Sequence, residues 1–164
     1  MAARDQLAVD PLALEQQVCF ALAVTNRAVL AVYRPILEPL GLTHPQYLVL
    51  LVLWDEHNDP AATGAMSVKQ IAAKLQLDSA TLSPMLKRLA AMGLLSRTRS
   101  AADERATDVT LTAAGIALRE RAKSIPGTVV ERLGVELSEL EQLREVLTRI
   151  NAAALAAGTL GAPR

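Results

Sequence analysis

Apolar positions fall into two rhythms, a helical period over most of the chain and an alternation in two short stretches past the middle. Leu14, Val18, Ala21, Thr25, Val29, Val32 and Ile36 recur in steps of four and three. Cys19, Ala23, Asn26, Leu30, Tyr33 and Leu37 follow one position round. With Pro35 as its only breaker, the stretch predicts a long helix over Leu14 to Leu37, and so wide an apolar arc needs more than one neighbour. Glu38-Pro39-Leu40-Gly41-Leu42 ends it. Thr43, ahead of His44-Pro45, is an N-cap with proline in the first turn, opening a second helix from about Pro45 to Glu56. Its run from Leu48 to Trp54 is apolar on all sides, as expected of a buried central helix.

The segment His57 to Ala65, with Pro60 and Gly64, predicts an exposed loop. Ser67 then caps a short helix, Val68 to Leu75, and Asp78 or Ser79 caps another, about Ala80 to Met92, which Gly93 ends. Two short helices joined this tightly form a helix-turn-helix. Alternation in Leu94 to Arg99 and Thr107 to Leu111 predicts two strands flanking the polar loop Ser100 to Ala106, and a hairpin after a recognition helix is a wing. A helix from Thr112 to about Leu133, kinked or broken at Pro126-Gly127, and a last helix from Ser138 to Ala157 complete the chain. The tail from Gly158 is expected to fray. The fold class is therefore mostly α with a small β-hairpin, a winged helix-turn-helix. Its expected organisation is a dimerisation helix and connection in residues 1–44, a DNA-binding lobe in 45–111 and C-terminal dimerisation helices in 112–164.

Composition narrows the classes. Leu, Ala and Val dominate and only Phe20, Tyr33, Tyr47 and Trp54 are aromatic, which disfavours a sandwich or barrel. No apolar run approaches the ~20 residues of a bilayer span, and Met1 to Asp10 has no signal-peptide pattern, so the expected location is cytoplasmic with no membrane partner. Formal net charge is zero, but residues 66–111 carry seven Lys or Arg against four Asp or Glu, while residues 1–65 carry three against seven. The basic portion coincides with the helix-turn-helix and hairpin. No Cys or His cluster has metal-ligand spacing, so no metal or cofactor is expected.

The chemistry of the recognition helix fits double-stranded DNA. Ser79, Thr81 and Ser83 bring small hydroxyls to base edges, and Lys87 and Arg88 bring cations to phosphates. On the other side Leu82, Met85, Leu86 and Leu89 are spaced to pack on Ile71 and Leu75. The wing adds Arg97 and Arg99 on a strand and Arg105 at the tip, where Asp103 can accept a hydrogen bond from Arg105 and aim it into a minor groove. The alternative, that these cations are only a solvated face, does not account for their ordered placement. An excess of three positive charges gives one lobe few phosphate contacts, so a homodimer on a pseudopalindromic operator is expected.

Cys19, the sole cysteine, is either a small core hydrophobe or a reactive thiol. No cation lies beside it at helical spacing. Cys19 and Tyr33 share a stripe, but fourteen residues separate them, roughly 21 Å along a helix axis. They meet only if helices of two subunits cross antiparallel, the Tyr33 hydroxyl of one chain then donating to the thiolate of the other.

Leu14-Glu15-Gln16-Gln17-Val18-Cys19-Phe20-Ala21-Leu22, Tyr33-Arg34-Pro35-Ile36-Leu37 and Pro45-Gln46-Tyr47-Leu48 resemble the organic-hydroperoxide-sensing repressors (OhrR type) of the MarR family. Leu77-Asp78-Ser79-Ala80-Thr81-Leu82-Ser83-Pro84-Met85-Leu86-Lys87-Arg88-Leu89 and Arg97-Thr98-Arg99-Ser100 through Asp103-Glu104-Arg105 are similar to MarR proteins as a class. The resemblance runs from about Leu14 to Thr128. It implies a dimeric repressor, not an enzyme, in which organic hydroperoxide oxidises Cys19 to a sulfenic acid. A low-molecular-weight thiol then forms a mixed disulfide, and the operator is released. In this family tyrosines stand one turn after the cysteine and before the Pro-Gln-Tyr run; here those positions hold Ala23 and His44, so Tyr33 alone of the phenolic set is kept. His44 is either a surface or capping residue or a donor to the thiolate in place of a phenol. With no second cysteine, a one-cysteine mechanism follows. The competing function is a MarR-type repressor released by a small lipophilic or aromatic ligand, with Cys19 structural.

Overall fold

The computed structural model describes residues 10, 12–100 and 105–158. A single turn of 3-10 helix, Leu14–Gln16, precedes α1 (Val18–Leu37). After a second such turn come α2 (His44–Asn58), β1 (Ala65–Ser67), α3 (Val68–Leu75), α4 (Ser79–Ala91), β2 (Leu95–Arg99) and β3 (Thr107–Leu111). Then α5 (Ala113–Ala122), α6 (Ile125–Leu133) and α7 (Leu137–Ala156) close the chain. The core sits where α2, α3, α4 and the sheet converge, with Leu50, Ile71, Leu82, Leu86, Leu89 and Val109 fully buried. Each such side chain contributes about 1.5–3 kcal/mol of burial. Val49, Leu50, Leu53 and Trp54 of α2 are buried, but Leu48 and Leu51 are exposed, so this helix is central on one side only.

Helix starts follow from side chains three residues back. Thr43 accepts from the Gln46 amide while the Gln46 side chain accepts from the Thr43 amide, and Ser67 with Gln70 repeats the arrangement. Each pair satisfies two donors that a helix leaves open. Of the two candidates before α4, Asp78 is the cap: its carboxylate accepts from the Thr81 amide at 2.6 Å and from the Thr81 hydroxyl at 2.9 Å. Thr112 caps α5 through the Gly115 amide.

Four expectations change. The hairpin is part of a three-stranded antiparallel sheet in the order β1-β3-β2, with Met66 opposite Val109 and Arg97 opposite Val109 on the other side. β1 escapes a search for alternation because it is three residues long with only Met66 facing the core. The proline of 126 does mark a break, but one turn upstream, between Ala122 and Ile125. A proline ring collides with the carbonyl four residues before it, here that of Ala122, and proline is then accepted near the start of the next helix. The last helix starts at Leu137 behind a Glu136 cap, not at Ser138. Finally, Val18–Leu40 forms a stretch of 23 residues with mean hydropathy 1.2, long and apolar enough by length and composition to cross a membrane. Thr25, Asn26, Arg27 and Arg34 interrupt it as an uninterrupted run without lowering its average below that mark.

The joint between the sheet and α5 is a close backbone contact at Gly115. A Cβ on Gly115 would lie 2.0 Å from the Leu94 carbonyl oxygen, and the Thr112 amide donates to that same oxygen at 3.1 Å. Because the obstructing atom is backbone, Gly115→Ala is expected to cost about 2–4 kcal/mol in urea unfolding. Asp78→Ala gives a pH-dependent effect. Hydrogen bonds from the Thr81 amide and then the Thr81 hydroxyl hold the Asp78 carboxyl below its ordinary 3.8. Its contribution is therefore complete above 3.8 and is lost as pH falls through the lower, folded value. Thermal melts of both proteins should show a gap near neutrality that closes in acid.

Candidate functional site

α4 presents one face to solvent and the other to the core. Leu82, Leu86 and Leu89 point inward against Ile71 with Met85 and Leu75 partly buried beside them, as their spacing predicts. Ala80, Thr81, Pro84, Lys87 and Arg88 are exposed at helical intervals, whereas Ser79 and Ser83 are half-buried. The hydroxyls already have partners. Ser83 donates to the Ser79 carbonyl at 2.7 Å, and Thr81 donates to Asp78 at 2.9 Å, so in this state both offer their lone pairs outward. Ala80 and Pro84 share that outer face and add apolar surface to it. Sequence reasoning passed them over because they carry no polar signal.

The turn that aims α4 is set by Gln76, the one non-glycine among the described residues with positive φ (53°). It ends α3, and the Leu77 amide then donates to the Ala72 carbonyl at 2.9 Å. Glutamine is not a residue that announces a left-handed turn, so residue type alone does not reveal it. In the wing, Arg97 stands on the face that also carries Leu95 and Val109. It is half-buried, and its Nε lies out of solvent with no hydrogen-bond partner among the described residues. Arg99, at the end of β2, and Arg105, at the turn into β3, are exposed. Asp103 and its expected bond to Arg105 lie outside the described residues.

The second constellation spans α1 and the start of α2. Cys19 is the second residue of α1 and is exposed; Tyr33 lies in the same continuous helix, roughly 21 Å away along its axis. One chain does not bring them together. It does bring Tyr33 to His44, whose ring centroid is 4.7 Å away in an edge-on arrangement. Tyr47 follows at 6.1 Å from Tyr33, and Trp54 at 6.4 Å from Tyr47, so four rings form a file along α2. Burial pushes the Tyr33 phenol up and the His44 imidazole down. Burial, then the neighbouring Tyr33, raises Tyr47. Beside Tyr47 and Trp54 lies a cavity of 290 Å³ with Arg119, Lys123 and Asn58 on its rim.

α1, α6 and α7 enclose a groove of 1220 Å³ lined by Val18, Leu22, Val29, Leu133, Leu140 and Leu147 among others. Val18 is 65%, Leu137 58% and Leu143 45% exposed, so this apolar face is uncovered in the single chain. No group of His, Cys, Asp or Glu among the described residues has the makings of a metal site.

Residues 31–121 match the family of the transcriptional regulator SarA/Rot. The organic hydroperoxide resistance transcriptional regulator of Bacillus subtilis is 41% identical over 138 residues, which cover 84% of this chain and 89% of that one. Among solved structures, reduced AbfR bound to DNA superposes with a TM-score of 0.72 at 30% identity, over 88% of this chain and 94% of that one. A MarR-family transcriptional regulator from Rhodococcus sp. RHA1 shares the fold, with a TM-score of 0.73 at 24% identity over 85% and 95% of the two chains. The winged lobe, its outward cations and these likenesses along most of the chain agree: this protein belongs to the MarR family of DNA-binding transcriptional regulators, in the organic hydroperoxide resistance branch.

Proposed function

We propose that the protein is a cytoplasmic homodimeric repressor that binds a pseudopalindromic operator when reduced and leaves it after organic hydroperoxide oxidises Cys19. The observation that carries this reading is the exposed Cys19 in the first turn of α1, next in sequence to Val18 of an uncovered apolar groove, in a chain 41% identical to a hydroperoxide resistance regulator. A second copy crossing α1 antiparallel covers the groove and carries Tyr33 and His44 of one subunit to Cys19 of the other. A protonated phenol there donates to the thiolate, and His44 offers an imidazole N–H where relatives have a second phenol.

The chemistry closes with one sulfur. The thiolate attacks the outer oxygen of the hydroperoxide, the O–O bond breaks, and the alcohol leaves with a proton, giving a sulfenic acid. A low-molecular-weight thiol then condenses with it, forming a mixed disulfide and releasing water. Adding such a group to a packed seam biases the dimer between two arrangements, and a swing from 99% bound to 99% released needs about 5.5 kcal/mol of differential stabilisation. No turnover is involved, so the protein is a sensor and not an enzyme.

On DNA, α4 enters the major groove with Ser79, Thr81 and Ser83 near bases and Lys87 and Arg88 on phosphates. The wing brings Arg99 and Arg105, with Asp103, to the flanking minor groove, and Arg97 supports the wing from its inner face. The 290 Å³ cavity beside Tyr47 and Trp54 favours one other reading, release by a small aromatic or lipophilic ligand with Cys19 structural.

Cys19→Ser separates the two. On a duplex recovered by selection from a random pool, cumene hydroperoxide plus a small thiol should weaken wild-type binding by roughly tenfold or more and leave the Ser variant bound; equal release of both overturns thiol sensing. Changing Ser79, Thr81 and Arg105 together to Ala should weaken reduced binding by roughly 10–100-fold in a gel-shift titration, with the thermal melt little changed.

A further inference from the structure

We propose that Trp54 is a positioning residue that couples the ring cluster at Tyr33 to the joint between recognition helix and wing, so that a disturbance beside α1 reaches the DNA-reading surface through α2.

Tyr47 and Trp54 sit two turns apart on one face of α2; Tyr33 meets the upper ring of that pair, and His44 meets Tyr33. The lower end is tied by a specific bond. The indole Nε1 donates to the Gly115 carbonyl at 2.8 Å across 61 residues of sequence, inside the protein. Gly115 in turn has no freedom, since the Leu94 carbonyl occupies the space where a side chain would start. Leu94 is where the recognition helix hands over to the wing: its amide donates to the Leu89 carbonyl of α4, its carbonyl accepts from Thr112, and Leu95 pairs with Leu111. The Thr112 hydroxyl adds a bond to the Gly93 carbonyl at 2.6 Å. From Tyr33 to the base of the wing, then, the route is ring, ring, ring, hydrogen bond and backbone contact with no solvent gap at Tyr47 or Trp54, which are 4% and 3% exposed. The 290 Å³ cavity along the open side of Tyr47 and Trp54 gives these rings room for a second arrangement, which a packed chain needs if it is to transmit rather than merely resist.

The direct bond matters more than the bulk of the ring. Phenylalanine at position 54 keeps an aromatic face against Tyr47 and drops the donor, so it should uncouple the two ends while leaving the fold in place. The inference rests on the lobe's role as the DNA-reading unit; its use in redox switching rests further on the function proposed above. A test in the reduced protein without operator or peroxide therefore stands or falls separately from that function.

Amide hydrogen exchange read by mass spectrometry on the full chain supplies it, using Tyr33→Ala, Trp54→Phe and the double variant, each checked by thermal melt. Tyr33→Ala should speed exchange in residues 94–99 and 107–112 by roughly threefold or more. In the Trp54→Phe background the same change should still loosen α1 but add nothing in the wing. Wing exchange unchanged by Tyr33→Ala, or effects of the two substitutions that simply multiply, overturns the proposal. If Tyr33→Ala does not fold, His44→Ala disturbs the same ring from its outer side and is read by the same criteria.

Discussion

The molecule turns on the place where Gly115 lies against the Leu94 carbonyl. Three parts meet there: the end of α4 through Gly93 and Leu94, the root of the wing through the Leu95–Leu111 pair, and the start of α5. Only a residue without a side chain permits that approach, and Thr112 then locks it with one amide and one hydroxyl bond. The angle at which reading helix and wing face a duplex is thereby tied to the direction of α5 and the helices after it. The reading helix, the wing and the helices that follow thus share one backbone contact.

Electrostatics follow the same division. The chain is neutral as a whole, yet residues 66–111 carry seven Lys or Arg against four Asp or Glu, with Lys87, Arg88, Arg99 and Arg105 exposed on α4 and the wing, while the α1, α6 and α7 groove is lined mostly by hydrocarbon. Burial disfavours charge on both the Tyr33 phenol and the His44 imidazole. One end of the protein thus addresses polyanions, and the other holds neutral hydrogen-bond donors beside an apolar surface.

Much of this was legible from residue order alone. The bounds of α3 and β3 agree with the spacing of apolar residues and caps, and Thr43, Ser67 and Thr112 each cap the helix that follows. These signals are local, because a cap acts within three residues. What escaped depends on partners far away in sequence. β1 exists because Ala65, Met66 and Ser67 find β3, and nothing in three residues announces that. The Trp54 bond to Gly115 spans 61 residues, and Gln76 takes a left-handed turn because α3 and α4 must pack. The break near Pro126 was visible as an event but misplaced by one turn, since proline acts on the carbonyl behind it. The reading helix was foreseen in outline; the prior engagement of the Ser83 and Thr81 hydroxyls was not, as it depends on rotamers that spacing does not encode.

The short range of the caps has a kinetic side. Elements whose ends are defined within one turn can nucleate before the chain has collapsed, whereas the indole bond must wait until two distant stretches of chain are adjacent. The reading lobe's helices are therefore early structure and its attachment to α5 is late structure. That ordering lets the lobe loosen at its mooring without forgetting its own shape.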